Sequence, residues 1–219
     1  FIIALGDVSW NYAAASIGTL GTLIPLVRLP SMKPDIGEPE HPLKALAGGF
    51  QFLFSNRIVG SVILIGTLSA IAGAIRIFFP VLASDSFGGG AIQVGLMFSA
   101  IPLGAMVGAF TSGWVQGLQR PGMVMLFCCV ATFSALSILG VTQNFYIALV
   151  ILTVYGYLNG IGGLLQFTIV QGHTPDHLLG RINSLWTAQD VTGDSVGALG
   201  LGAVGKLLAP AVTIVYFGA

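Results

Sequence analysis

The sequence predicts an all-α transmembrane bundle of about six to seven spans. Three observations carry that prediction. Of the 219 residues, 55% are hydrophobic and only 7% charged, with a mean hydropathy of +0.92. Soluble domains carry about 25% charged residues, so this chain lacks the groups to cover a water-facing surface, and lipid is its natural solvent. Apolar runs long enough to cross a core about 30 Å thick alternate with short polar breaks. The cationic residues are segregated into every second break.

The elements follow in order. Phe1–Leu5 reads as the tail of a helix, and Gly6–Asn11 as a polar break with an interfacial Trp10. Tyr12–Leu29 is the first nearly complete span, with no charge before Arg28. Pro30–Pro42 holds four prolines and most of the charge density, which excludes helix and favours an extended linker. Leu43–Arg57 has Leu43, Leu46, Phe50, Leu53 and Phe54 at helical spacing, the pattern of an amphipathic helix lying along the membrane surface. Further spans are expected over Ile58–Leu82, ending near Pro80, and over Ala91–Leu118, Met123–Val141, Tyr146–Val170 and Ile182–Leu208. A polar connector, Gln171–Arg181, precedes the last of these. A truncated seventh span opens at Pro210. The chain begins inside an apolar run without a signal peptide and is expected to be a fragment of a longer protein, cut inside a helix at each end.

Successive spans alternate sides, so the breaks form two sets. One set holds Arg28, Lys33, Lys44, Arg57, Arg120 and Arg181; the other holds only Lys206, and Arg76 lies inside a span. The positive-inside rule places the first set, including the long linker, in the cytoplasm.

Several function classes are disfavoured. Net charge is zero, which gives no footprint for nucleic acid. No phosphate-binding G-x-x-x-x-G-K-[ST], no G-x-S-x-G and no H-E-x-x-H occurs, so neither an ATP-driven pump nor an enzyme is expected, and no cofactor is implied. Adjacent Cys128 and Cys129 are poorly placed to bridge each other. His173 and His177 have a metal-ligand spacing on a helix, but Pro175 between them argues against a continuous helix, and no metal is expected.

The candidate site starts from charge inside hydrocarbon, which costs about 2.5–3.5 kcal/mol on insertion scales and so usually faces an interior or an aqueous path. Arg76, Asp190 and Asp194 meet this description. At about 1.5 Å per residue, Asp190 is roughly 13 Å and Asp194 roughly 20 Å beyond Arg181, and Arg76 is roughly 13 Å from Asp85. The three are level enough for Arg76 to pair with either Asp, as a coupling site or as a static interhelical bridge. On a helix, Asn183, Thr187, Asp190 and Asp194 form one polar stripe, with Trp186, Val191, Val196 and Leu199 on other faces. Tyr155, Asn159 and Gln166 are polar groups within one span, open to substrate contact or to interhelical hydrogen bonding, and Gln93 and Ser99 share that ambiguity. Asp176 and Arg181 are placed to cap helix ends and clamp a cytoplasmic gate. The pairs Gly104/Gly108, Gly156/Gly160 and Gly193/Gly197 read as close helix packing.

Local motifs then carry a resemblance. GAFTSGWVQGLQRPG (Gly108–Gly122) is similar to the C-half copy of the cytoplasmic signature of the major facilitator superfamily. Gly113 and Arg120 match that signature as gate residues, whereas its Asp is absent and Trp114 follows Gly113. TPDHLLGRINSLW (Thr174–Trp186) resembles the connector before the eleventh helix in its drug- and siderophore-efflux branch. WNYAAASIGTL, EHPLKALAGGFQFL and GRINSLWTAQDVTGD extend a likeness to catecholate exporters over essentially the whole chain. The resemblance implies that residues 1–29 end an N-terminal half, 30–57 form a cytoplasmic central linker with its amphipathic helix, and 58–219 form an incomplete C-terminal bundle whose absent N-terminal half is its partner. It implies a secondary transporter of the bacterial inner membrane. Its substrate would be enterobactin or a similar catecholate siderophore, exported from cytoplasm to periplasm by the proton gradient, and the polar residues Tyr155, Asn159, Gln166 and Thr187 read above are the candidates to line its cavity. The alternatives are a multidrug or other small-molecule efflux pump and, from another class, a non-transporting scaffold or sensor.

Overall fold

The structure, a computed structural model, describes residues 8–27, 42–205 and 210–218. The chain divides into two compact units, Phe1–His41 and Pro42–Ala219. The described part of the first unit is α1 (Val8–Val27), which carries Pro25 near its end. The linker residues 30–41, Arg28 and Lys206 lie outside the described residues.

The described part of the second unit consists of helices joined by short turns. It contains α2 (Pro42–Ser55), α3 (Arg57–Gly73, continued by further helical turns to Ser86), α4 (Ala91–Thr111), α5 (Pro121–Val141), α6 (Phe145–His173), α7 (Asp176–Gly205) and α8 (Pro210–Gly218). Asn56 separates α2 from α3 and caps the latter. Its side-chain oxygen accepts from the backbone N–H groups of Ile58 and Val59 at 3.1 and 3.2 Å, satisfying donors that a helix start leaves orphaned. Asn144 does the same for α6. The turn before α4 uses Gly88 at φ +59°, a conformation that side chains with a Cβ rarely adopt.

Three expectations need correction. The second span does not stop near Pro80. A 3₁₀ turn over Ala74–Phe78 resets the hydrogen-bond ladder, so Pro80 falls in the first turn of the next α segment, where its missing N–H costs nothing, and the run continues through a π turn to Ser86. The expected connector Gln171–Arg181 is almost entirely helical. α6 runs to His173, α7 starts at Asp176, and only Thr174 and Pro175 intervene. Polarity there reflects exposed helix ends rather than loop. Finally, α2 ends at Ser55 and presents Gly48 and Gly49 to α7, so close that a Cβ on Gly49 would stand 2.9 Å from the Leu185 side chain. Phe50 and Phe54 remain exposed.

Arg57–Ser86, Ala91–Gly117, Pro121–Val141 and Phe145–His173 are long and apolar enough to cross a membrane. Among the described residues these four meet both conditions; α1 and α7 have the length without the apolarity. Large apolar side chains such as Phe110, Phe127, Tyr146 and Val150 point outward. A water-soluble domain would not tolerate so much exposed apolar surface, and a lipid-facing one needs it.

Two tight crossings set the packing. α4 meets α6 through Gly104, Gly108, Gly156 and Gly160, where a Cβ on Gly104 or Gly156 would overlap the facing backbone at Thr153 or Ile101. α7 meets α3 through Gly193 and Gly197, against Ala70, Ile71 and Ala74. The buried core is split into two apolar layers. One is built from Val59, Val62, Met125, Ile161, Leu165, Ile169, Ile182 and Leu185. The other is built from Ala72–Ala83 residues of the α3 run, Met97, Ile101, Leu136, Leu152, Tyr155, Leu201 and Ile214. On α3, α5, α6 and α7 alike, the residues between the layers include the polar ones: Ser69, Thr132, Asn159 and Asp190.

Candidate functional site

Beside this polar belt opens a cavity of about 400 Å³. α3 supplies Ser69, Gly73 and Arg76; α6 supplies Tyr155 and Asn159; α7 supplies Asp190 and Asp194. The three charged residues singled out by depth therefore meet at one space. Their helices are held there by the Gly193/Gly197 crossing, which brings α7 close enough for the Asp194 carboxylate to approach Gly73, where an added Cβ would lie 3.4 Å from Oδ1. Gly73 is three residues, less than one turn, from Arg76.

Among the described residues, no ion pair within 4.0 Å joins Arg76 to either Asp. All three side chains are exposed to the cavity or its mouth rather than sealed together. The pairing foreseen from depth is thus a shared cavity with separated charges. The Tyr155 ring is 1% exposed, and its hydroxyl lies near Asn159 without closing a hydrogen bond. Arg76 and Asp194 both act on that hydroxyl electrostatically.

Behind the main cavity lies a smaller chamber of about 200 Å³. The two share a rim of Ser69, Ala70, Asn159 and Asp190. Gln166 lines the chamber and is 5% exposed, and its amide nitrogen has no hydrogen-bond partner. The amide sits against α3 at Gly66, so that a Cβ there would fall within 2.6 Å of the Gln166 Cδ. Trp186 lines the same chamber, its indole N–H within reach of Asp190 one turn on, and its ring centroid 6.0 Å from that of Phe167.

The stripe read from α7 is only half right. Asp190 and Asp194 share the cavity, but Thr187 lines a separate shallow groove with Ser184, Val191 and Thr192, and its hydroxyl donates to its own Asn183 carbonyl at 3.0 Å. Thr187 is three residues before Asp190, about 60° around the helix, enough to turn it to another face. Trp186, assigned to another face, belongs with Asp190 because i and i+4 lie together. Ser69, Thr132 and Trp186 were missed as lining residues; the i to i+4 relation to Asp190 was the available signal for Trp186. Gln189 also went unremarked, although both its side-chain polar atoms are buried without partners.

The remaining candidates lie at the helix ends. Gly113 stands in the 3₁₀ turn after α4 with open space around it, and Arg120 precedes α5, its guanidinium near the Met123 sulfur at 3.9 Å. Asp176 opens α7 and is exposed. Arg181 faces Gly48 of α2, where an added Cβ would lie 3.0 Å from its Nη1. His173 and His177 fall on different helices, and the His173 ring nitrogen Nδ1 is 2.9 Å from the Ile169 carbonyl. Gln93 accepts from the Gly90 N–H at 2.9 Å and Ser99 donates to the Gly95 carbonyl, so both serve their own helix.

A family model described as transmembrane secretion effector matches residues 1–218. Enterobactin exporter EntS of Escherichia coli O1:K1 / APEC is 44% identical over 209 residues, covering 95% of this chain and 50% of that protein. The proteins of the same name from Shigella dysenteriae serotype 1 (strain Sd197) and Escherichia coli O157:H7 (strain EC4115 / EHEC) match to the same extent. The chain therefore spans about half the length of the curated relatives it matches. No solved structure matches it. Outer-membrane proteins are closed β-barrels, so an all-α multi-pass chain with these bacterial relatives belongs in the inner membrane. With the family match running over nearly every residue, the chain belongs to the transmembrane secretion effectors of the major facilitator superfamily.

Proposed function

We propose that this chain works in a secondary active exporter that moves a catecholate siderophore of the enterobactin type from cytoplasm to periplasm, driven by protons. The observation that carries the proposal is the arrangement of Arg76, Asp190 and Asp194 around one cavity, deep within a membrane bundle. A static bridge would close the pair; here the charges stand apart with room for a ligand between them. With both carboxylates ionised the trio carries one net negative charge, and one proton neutralises it. In a desolvated setting that difference is large enough to bias which partner Arg76 attracts. Arg76 would meet an anionic or hydroxylated substrate in one state and a carboxylate in the other. Relatives named as enterobactin exporters supply the substrate class.

Residues 1–29 are proposed to close an N-terminal half, 30–57 to form the cytoplasmic linker, and 58–219 to belong to the C-terminal half. Gly113, Arg120, Asp176 and Arg181 would gate the cytoplasmic end. Alternating access would follow from rocking of one half against the other about the midplane.

The test is secretion of catecholate siderophore by cells carrying the full-length gene, its deletion, or Asp190→Asn and Asp194→Asn. Deletion is expected to abolish secretion, and at least one Asn variant to reduce it about tenfold or more. Unchanged secretion in both variants would remove the coupling role. Intact secretion in the deletion strain, with loss of resistance to unrelated compounds, would make the protein a general efflux pump instead.

A further inference from the structure

The chamber behind the main cavity shares Asp190 with the coupling scheme, and the rest of its lining, which that scheme does not use, is built like a small-molecule subsite. Its apolar lining is Trp186, Met125, Leu158 and the adjacent Cys128 and Cys129. Its polar groups converge from four helices: Ser69 on α3, Thr132 on α5, Asn159 and Gln166 on α6, and Asp190 on α7. Apolar walls with a few convergent polar groups are the pattern of ligand pockets. The Gln166 amide nitrogen is buried and without a partner, a costly condition unless a guest or water accepts its hydrogen. At about 200 Å³ the chamber is the right size for one substituted aromatic ring, since a cavity of about 150 Å³ already takes up benzene. The shared rim at Ser69, Ala70, Asn159 and Asp190 lets a ring enter from the larger space while the rest of its molecule stays outside.

We propose that this chamber is a subsite for a single, uncharged 1,2-dihydroxyphenyl ring, held between Trp186 and the Cys128–Cys129 wall. One hydroxyl would donate to the Asp190 carboxylate, and one hydroxyl oxygen would accept from the Gln166 amide N–H. Asp190 decides the charge state: a carboxylate at the rim welcomes hydroxyl donors and repels a deprotonated catecholate. The choice of ring rests on the export reading above. The chamber's size implies that a substrate with several such rings places one here and leaves the others in the main cavity.

The experiment reads binding, so its failure is distinct from failure of the export reading. Saturation-transfer NMR is recorded anaerobically on the purified full-length transporter in detergent, with catechol as probe and 1,2-dimethoxybenzene as the control of similar shape that lacks hydroxyl donors. The filling variant is Gly162→Val. A Cβ at that position meets Cys128 at 4.0 Å, ordinary contact, so the added methyls enter the chamber without displacing backbone. Gln166→Leu removes the amide donor while keeping volume. The expected result is a catechol signal reduced about threefold or more in both variants, measured against micelle background, with a weak signal for the dimethoxy compound throughout. Equal catechol signals in wild type and Gly162→Val would overturn the subsite, as would equal signals for the two probes, which would mark a plain void or a pocket of water. If Gly162→Val does not purify as a single species, Gly162→Ala with Gln166→Leu decides on the same criterion. A deletion strain that still secretes catecholates would overturn the export reading while leaving the binding result standing.

Discussion

Gln166 and Gly66 show how one residue's identity depends on another 100 positions away. The Gln166 amide occupies the space that a side chain at position 66 would fill, which is why α3 carries glycine there. Substituting Gly66→Ala places a Cβ inside the amide. The amide is the far end of a flexible side chain, so the helix need not move, but Gln166 must leave its slot for the chamber. Overpacking of this kind costs about 1–3 kcal/mol. The expected outcome is a lower melting temperature of the detergent-purified protein, with the pairing Gly66→Ala/Gln166→Ala recovering most of the loss. If the double variant melts no higher than the single one, the two residues are not coupled. Asp190 has a comparable double role, since it stands on the rim of both spaces, and a substitution there acts on coupling and on the chamber together. Asp194 lines the larger cavity and not the chamber, so differences between the two Asn variants separate the two contributions.

The helices divide into those whose glycines are required by a neighbour and those whose glycines are not. Gly156 faces the Ile101 carbonyl so closely that any Cβ would overlap backbone, which cannot rotate away. Gly117 and Gly122, at the ends of the same bundle, have open space around them. Gly156→Leu is therefore expected to separate α4 from α6 and prevent recovery of folded protein, while Gly117→Ala changes stability by no more than about 0.5 kcal/mol. Size-exclusion profiles and thermal melts of the two variants check this, and a well-folded Gly156→Leu protein would contradict the crossing. Four of the spans were legible in the sequence because lipid imposes length and apolarity on them, whereas α1 and α7 have the length alone; the GxxxG pairs were legible as close packing, but not which helices they join. The continuation of α3 past Pro80 was not legible, because the 3₁₀ turn that admits the proline comes from packing rather than from local composition. The same holds for residues 171–181, whose polar character hid two helix ends. Among site residues, Arg76, Asp190 and Asp194 could be found from charge in hydrocarbon alone. Thr187 was misplaced because a stripe drawn at three- and four-residue steps drifts around the helix, and Trp186 was overlooked because an aromatic on an apolar face carries no charge signal.

At the scale of the molecule, the two apolar layers lie toward the two opposite ends of the bundle. The layer containing Val59, Met125 and Ile182 adjoins the starts of α3, α5 and α7, where Arg57, Arg120 and Arg181 lie. The layer containing Leu82, Leu139 and Ala148 adjoins the opposite ends, with Asp85 and the short turn at 142–144. The helical order thus gathers at one end the cations that the sequence separates by tens of residues, and the positive-inside rule assigns that end to the cytoplasm. The proposed export from cytoplasm to periplasm rests on this orientation, because it decides which end of the Arg76–Asp190–Asp194 cavity would face the cell interior. It is tested with single cysteines in a Cys128→Ala/Cys129→Ala background of the full-length protein. Gln143→Cys, in the exposed turn between α5 and α6, is expected to react with a membrane-impermeant maleimide added to intact spheroplasts. Gln119→Cys, in the exposed turn between α4 and α5, is expected to react only after the membrane is opened. The reverse pattern would invert the bundle, place Arg120 and Arg181 outside, and turn the proposed exporter into a protein whose cavity is loaded from the periplasm. Because both positions are exposed turn residues away from the helix crossings, a change in labelling reads sidedness rather than misfolding.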